Sequence, residues 1–256
     1  MENDQTRPSG APATEKHLRI ALAALYRLCA KFDMTDLIYT HITARVPGED
    51  EHFLINNFGV MFEKMRASNL VKIDHEGNVI SGAHTHTEAR INVAGFNIHS
   101  AVHMSRPDLN CVIHTHTPAG IAVAAQRDGL LPISQHSMMF YNAISYHPYE
   151  SFAGRLEERE RIQADLGNNN VMVLRNHGML IGGRSIGEAF FLAHHLERAC
   201  QAQVLALGGG TPLNMPPPEI AEMTQRRIAQ MPAEQIDIFW RSCLTLVADE
   251  EEDYRL

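Results

Sequence analysis

The chain has 256 residues, 45% of them hydrophobic, which suffices for one large α/β domain or two small ones. Its 22 basic and 30 acidic residues give a net charge of −8, which argues against a surface that binds nucleic acid or anionic membrane. No apolar run reaches the roughly 18 residues of a membrane-spanning helix. The four cysteines, Cys29, Cys111, Cys200 and Cys243, lack the paired spacing of a disulfide or zinc framework, so we expect a cytoplasmic protein.

Composition divides the chain into three parts. We predict a disordered leader over residues 1–13, a folded domain over 14–210, and a proline-rich linker with a helical, acidic tail over 211–256. Apolar periodicity within the domain predicts alternating helices and strands. These are a helix from Thr14, a hairpin over 36–46 and 53–56, strands near 70–73 and 78–80, a helix over 92–104, a strand from 111, helices over 119–125 and 150–166, a strand near 171–174, and a helix from Ser185 to Leu207.

The central motif is a pair of histidines on one predicted strand. In Cys111-Val112-Ile113-His114-Thr115-His116, side chains alternate faces, so His114 and His116 project to the same side and can bind one ion. His177 follows another apolar run and precedes a glycine, where a strand would end at the rim of a sheet. Three histidines with an open position are typical of a catalytic metal site.

Two other histidine pairs have spacings that could bind metal. His84 and His86 follow a turn-like segment with no apolar run before it, so they are predicted to lie in a loop. His99 and His103 lie four apart on a predicted helix, but they lack the glutamate of the zinc-protease motif. For this pair, both hydrogen bonding beside the core and metal ligation remain open.

Two further segments are candidates for the wall of a binding site. The loop Asn57-Phe58-Gly59 is predicted to bind substrate through Asn57 and Gly59. The other segment is rich in polar aromatic side chains, which are common both in pockets and at subunit interfaces. Its members are His136, Tyr141, Tyr146, His147 and Tyr149.

Taken together, these motifs resemble the class II aldolase/adducin family. His114-Thr115-His116 is preceded by Arg106-Pro107-Asp108 and followed by Arg175-Asn176-His177-Gly178 and then a helix over 188–201. The resemblance covers roughly residues 15–207 and is strongest to the adducin-like branch. It implies a single α/β/α domain around a central, largely antiparallel sheet, assembled as a homotetramer with active sites between neighbouring subunits.

The resemblance also implies a chemistry. Family enzymes hold a divalent metal, usually zinc, on the three histidines that match His114, His116 and His177. The metal polarises a substrate carbonyl and stabilises the enediolate that forms when a C–C or C–H bond breaks.

The sequence departs from the family's sugar-phosphate aldolases at two positions. Their acid/base glutamate falls at Gly95, and their phosphate-binding Gly-Asn-x-Ser becomes Thr40-His41-Ile42-Thr43, with an imidazole in place of the amide. A slipped alignment would recruit Glu88 instead. Because the phosphate-binding motif is replaced, a phosphorylated substrate is not expected.

Three residues are candidates to move protons. His41 lies at the predicted mouth of the site, and His136 follows Pro132 by four positions, where family aldolases carry a tyrosine from the adjacent subunit. Tyr254 could reach a neighbour's site, as tail tyrosines do in the family. The alternatives are an interface hydrogen bond for His136 and a disordered tail for Tyr254.

These features predict a metal-dependent lyase. It would act by aldol cleavage or decarboxylation on a small hydroxy- or oxo-acid, with zinc as the expected metal and iron(II) or manganese as alternatives. Two other hypotheses stay open. One is an Fe(II)-dependent oxygenase with the same three histidines, and the other is a non-catalytic, adducin-like assembly module.

Overall fold

The computed structural model of the protein describes residues 14–81, 89–151, 157–248 and 253–256. The predicted leader over 1–13, the loop with His84 and His86, the alternative base Glu88 and the acidic run over 249–252 lie outside the described residues.

One eight-stranded sheet runs through the domain. Its strand order is β4-β3-β2-β1-β5-β8-β7-β6, and only the β6–β7 pair is parallel, which confirms the predicted, largely antiparallel α/β fold. The strands are β1 (His41–Val46), β2 (Glu49–Asn56), β3 (Leu70–Ile73), β4 (Val79–Ser81), β5 (Cys111–Thr115), β6 (Ile144–His147), β7 (Val171–Leu174) and β8 (Gly178–Gly183).

Helices cover both faces of this sheet. Because side chains alternate along a strand, Ile113 and Ile181 join a core with α1 and α6, whereas Val112 and Leu180 join a second core with α2 and α5. The helices are α1 (Glu15–Lys31), α2 (Val93–Ser105), α3 (Pro118–Ala124), α4 (Gln135–Met138), α5 (Glu157–Leu166), α6 (Ile186–Gly208), α7 (Pro218–Ala229) and α8 (Ala233–Leu244). None of these helices is long and apolar enough to cross a bilayer.

Most predicted elements are confirmed, and two strands were missed. Thr14 caps α1 by accepting a hydrogen bond from the His17 backbone, and Ser185 caps α6 in the same way through Glu188. Strand β8 escaped prediction because glycines are unfavourable in strands. Here they are required: a side chain at Gly183 would collide with the backbone of Ala189 in α6. Strand β6 lies within the segment whose polar aromatics were assigned to a pocket or an interface.

The C-terminal tail packs against the domain. Ile236 and Cys243 of α8 belong to the main core, and a side chain at Gly187 of α6 would touch Trp240. Tyr254, which is only 6% exposed, belongs to the same core, and its carbonyl oxygen accepts a hydrogen bond from Ala67. A chain division at residue 210 remains a prediction, although the two sides of it share this core.

A buried tyrosine links β1 and β2 near the end of β1 that carries His41. The Tyr26 hydroxyl accepts hydrogen bonds from the backbone N–H groups of Ile42 (2.9 Å) and Asn56 (3.0 Å). Ile42 directly follows His41, so this hydroxyl fixes the start of β1, from which His41 projects.

Replacing Tyr26 by phenylalanine is expected to lower the free energy of unfolding by roughly 2–4 kcal/mol, because two buried backbone donors lose their acceptor. Urea denaturation would measure the change. Tyr39→Phe, at a side chain that is 55% exposed, is the control. Equal losses in the two variants would contradict this assignment.

Candidate metal centre

The three predicted histidines meet at one point. Nε2 of His116 lies 2.8 Å from Nε2 of His114 and 3.0 Å from Nε2 of His177. Among the described residues, these three form the one group of His, Cys, Asp and Glu side chains that is close enough to hold a metal ion. The predicted ligand set therefore has the required geometry, whereas its occupancy by a metal remains a proposal.

Two local structures position His116 and His177. Strand β5 ends just before His116, because Thr117 caps α3 and Pro118 occupies its first turn. His177 lies in the tight β7–β8 turn, where Asn176 takes a left-handed conformation (φ 57°) that asparagine tolerates well. The turn is tied to α3, since the Asn176 backbone N–H donates to the carbonyl oxygen of Ala124.

The surroundings of the first two rings fix their tautomers. Nδ1 of His114 lies 2.9 Å from the Met179 carbonyl oxygen, and Nδ1 of His116 lies 3.0 Å from Oδ2 of Asp36. Both oxygens are acceptors, so each Nδ1 carries a proton, and in the neutral ring, the form that binds metal, each Nε2 presents a lone pair. Two lone pairs at 2.8 Å cannot hydrogen-bond to each other. A cation between them would remove this conflict, so the donor set fits a metal.

Burial keeps the rings of His114 and His177 neutral. It holds the pKa of His114 well below the usual value, and neighbouring histidines add to the effect. Burial, together with His116, lowers the pKa of His177 to about 4. Neutral imidazole is the form that binds metal, so no proton has to be removed from these two ligands at neutral pH.

The metal centre opens into a cavity of about 580 Å³. Tyr39 and Tyr149, both about half exposed, stand at its rim, and the Tyr149 ring lies 6.2 Å from that of His177. Within the described ranges, none of the lining residues is lysine or arginine. Besides the three histidines they are Asp36, Tyr39, His41, Asn92, Gly95, Ile98, Tyr149 and Ser151.

His41 is the predicted proton-transfer residue that lies at this site. Its ring is 5.0 Å from that of His114, which it faces across the β1–β5 pair. It also occupies the space beside Gly95, where a Cβ atom would overlap the His41 ring. The two departures from the aldolase pattern, at positions 41 and 95, are therefore in contact.

The other predicted site residues lie away from this cavity in the described part of the chain. His136 stacks on His195 at 5.4 Å, and Tyr254 lies in the core. Asn57 is buried and accepts a hydrogen bond from the Arg90 backbone, while Gly59 takes a left-handed turn conformation. Their catalytic or substrate-binding roles remain predictions.

Hydrogen bonding explains His99 and His103. Both rings bond to the Thr43 hydroxyl, at 2.7 and 2.8 Å, so the alternative of a structural pair fits them. Thr43 and Asp36 are site residues that the sequence motifs did not identify. The available signal for Thr43 was its position two residues from His41, on the same strand face; Asp36 carried none, because it meets His116 only through the fold.

Comparisons with known proteins agree with this fold. The family model for the Class II Aldolase and Adducin N-terminal domain matches residues 20–204. An aldolase II superfamily protein from Pseudomonas syringae is 47% identical, with a TM-score of 0.89 over 96% of this chain and 98% of that one. L-fuculose 1-phosphate aldolase from Glaciozyma antarctica PI12 is 28% identical, with a TM-score of 0.81 over 94% and 95% of the two chains.

Adducins are also similar. Alpha-adducin of Rattus norvegicus is 45% identical over 199 residues, which are 77% of this chain but 27% of adducin. The match to the family model spans most of the domain, and the relatives include both aldolases and adducins, as the sequence motifs predicted. This chain belongs to the class II aldolase and adducin family.

Proposed function

We propose that the protein is a divalent-metal-dependent lyase, which performs aldol cleavage or decarboxylation on a small, non-phosphorylated hydroxy- or oxo-acid. The observation that supports this most directly is the pair of opposed lone pairs on His114 and His116, with His177 beside them. A divalent cation between these nitrogens would accept the lone pairs of all three rings.

His114, His116 and His177 would hold the ion, and zinc is the metal we favour, with iron(II) or manganese as alternatives. When bound, the metal polarises a substrate carbonyl and stabilises negative charge on its oxygen. Asp36 and the Met179 carbonyl oxygen keep two of the ligand rings oriented.

The lining of the cavity favours an acid substrate that carries no phosphate group. Its described lining contains no lysine or arginine, the usual partners of phosphate, whereas the N-terminal end of α2 contributes the capping residue Asn92 and Gly95. The positive end of a helix favours a negatively charged group such as a carboxylate. The fuculose 1-phosphate aldolase among the structural neighbours is named for a phosphorylated sugar, so we propose a different substrate for this chain.

His41 is our candidate base, because its imidazole fills the space at Gly95 to which the family glutamate was aligned. Nε2 of His41 would take the hydroxyl proton of an aldol. The O–H electrons then form the carbonyl of the departing fragment, and the electrons of the broken C–C bond move onto the carbonyl oxygen of the remaining one. Burial and neighbouring histidines hold the pKa of His41 well below its usual value, so the ring is neutral and able to accept.

Residues from a second subunit could complete the site. We propose a homotetramer, as the resemblance implies, in which His136 and Tyr254 serve a neighbour's cavity. The half-buried ring of His136 is available for such a role, whereas Tyr254 would have to leave the core of its own chain. The buried, free cysteines suit the cytoplasm, which is where we propose that the enzyme works.

Two other functions use the same residues differently. An Fe(II)-dependent oxygenase would bind oxygen and substrate at the open positions beside the three histidines. A non-catalytic assembly module is favoured by the similarity to alpha-adducin, although this chain spans only about a quarter of that protein. If the protein is an assembly module, the His114→Ala variant is expected to associate as the unsubstituted protein does.

Metal content separates these functions. Protein purified without chelator is expected to carry near-stoichiometric zinc, and the His114→Ala/His177→Ala variant is expected to lose it, because two of three ligands are removed. Elemental analysis measures both. Zinc supports the lyase, and iron shifts the assignment to the oxygenase. No metal, even after titration with divalent ions, would leave the assembly module.

Asp36→Ala is expected to weaken metal binding by about 10- to 100-fold, because His116 loses the carboxylate that orients its ring. Competition with a chromophoric chelator would measure the affinity. Asp128→Ala, at an exposed acidic residue outside the cavity lining, is the matched control. An unchanged affinity in Asp36→Ala would show that the carboxylate does not support the ligand.

Gly95→Ala is expected to destabilise the protein by about 1–3 kcal/mol, because the new methyl group overlaps His41. The double variant Gly95→Ala/His41→Ala should lose less than the sum of the single variants, since the smaller side chain vacates that space. Urea denaturation measures all three. Gly208→Ala, where a Cβ meets nothing within 4 Å, is the control; simple additivity of the two changes would refute the contact.

A further inference from the structure

A buried chain of hydrogen bonds leads from the metal centre into the protein. Nδ1 of His41 lies 2.8 Å from Nε2 of His99, and Nδ1 of His99 lies 2.7 Å from the Thr43 hydroxyl. The same hydroxyl lies 2.8 Å from Nε2 of His103. All four residues are at most 2% exposed, so water is largely excluded from the chain.

Every ring in this chain is neutral. Burial, followed by neighbouring histidines, holds the pKa values of His41 and His99 well below the usual range. Burial and the nearby Arg45 do the same to the pKa of His103. A neutral imidazole has one N–H and one lone pair, so each ring must donate on one side and accept on the other.

The hydroxyl of Thr43 sets the direction of the chain. It has one hydrogen, so a ring that does not receive that hydrogen must donate its own. If Thr43 donates to His103, then Nδ1 of His99 donates to Thr43, Nε2 of His99 accepts from His41, and the proton of His41 lies on Nδ1. If Thr43 donates to His99 instead, every step reverses, and Nε2 of His41 carries the proton.

The far end of the chain selects between these directions. Nε2 of His103 faces Thr43, so Nδ1 is the nitrogen left to interact with the backbone of Leu109, which raises the pKa of this ring as an acceptor does, although Nδ1 makes no hydrogen bond of full geometry. An acceptor there favours the proton on Nδ1 of His103, which leaves its Nε2 to accept from Thr43. The first direction then follows along the whole chain, from His103 through Thr43 and His99 to His41.

We propose that His99, Thr43 and His103 are positioning residues that hold His41 in its Nδ1–H tautomer, with the Nε2 lone pair at the cavity wall beside Gly95. This rests on the proposed function only for its purpose: the tautomer makes His41 a proton acceptor rather than a donor. The tautomer itself is a property of the metal-free protein and does not depend on any reaction.

Nitrogen-15 NMR of the histidine side chains tests this in chelator-treated protein at pH 8, with the His41 signals assigned through His41→Asn. The expected result is a pyrrole-like Nδ1 and a pyridine-like Nε2 on His41. Thr43→Val keeps the shape but removes the hydroxyl, and the single tautomer should be lost. Thr43→Ser keeps a hydroxyl and should preserve it, which separates hydrogen bonding from packing at this position.

A protonated Nε2 on His41 in the unsubstituted protein would overturn the proposal, as would an unchanged tautomer in folded Thr43→Val. Far-UV circular dichroism and urea denaturation establish that the variants are folded. If Thr43→Val does not fold, His99→Gln provides the same test at the residue that is hydrogen-bonded directly to His41. The expected tautomer in a protein without lyase activity would refute the proposed function and leave this inference standing.

Discussion

The candidate metal centre depends on an unfavourable contact between the Nε2 atoms of His114 and His116, which the folded chain creates and does not itself neutralise. The Met179 carbonyl oxygen accepts the Nδ1 proton of His114, and Asp36 accepts that of His116. The Nε2 lone pairs of the two neutral rings then point toward each other. Each neighbour is favourable alone; their joint effect is a concentrated region of negative potential. Folding places it at the base of an open cavity, where a cation can reach it from solvent.

The rest of the domain makes this arrangement rigid. His114 lies on a central strand that is paired on both sides, with β1 and with β8. The partner strands also contribute to the site, since β1 supplies His41 and β8 supplies the Met179 carbonyl oxygen. A strand shifted by one residue would turn His114 to the opposite face, so the register of the sheet and the metal centre are specified together.

The sequence was informative where a pattern is local. The His114–His116 spacing and the glycine after His177 are each visible within a few residues, and they identified three side chains that do lie together; that these bind a metal remains a proposal. Strand β8 was hidden because its glycines satisfy close approaches, such as that of Ala189, which no local rule contains. Asp36 and Thr43 were hidden for a related reason: their partners, His116 and His99, are brought to them only by tertiary structure.

The contact between His41 and Gly95 restricts how such a site can change over evolutionary time. A carboxylate side chain cannot be introduced at position 95 while an imidazole fills the adjoining space, so a single substitution there meets a steric barrier. Replacing His41 by a smaller residue first removes the steric barrier, but it also removes the imidazole that stands in for the carboxylate. An exchange of the imidazole for a carboxylate in this fold therefore needs two substitutions, and the variant that carries only the first has neither group.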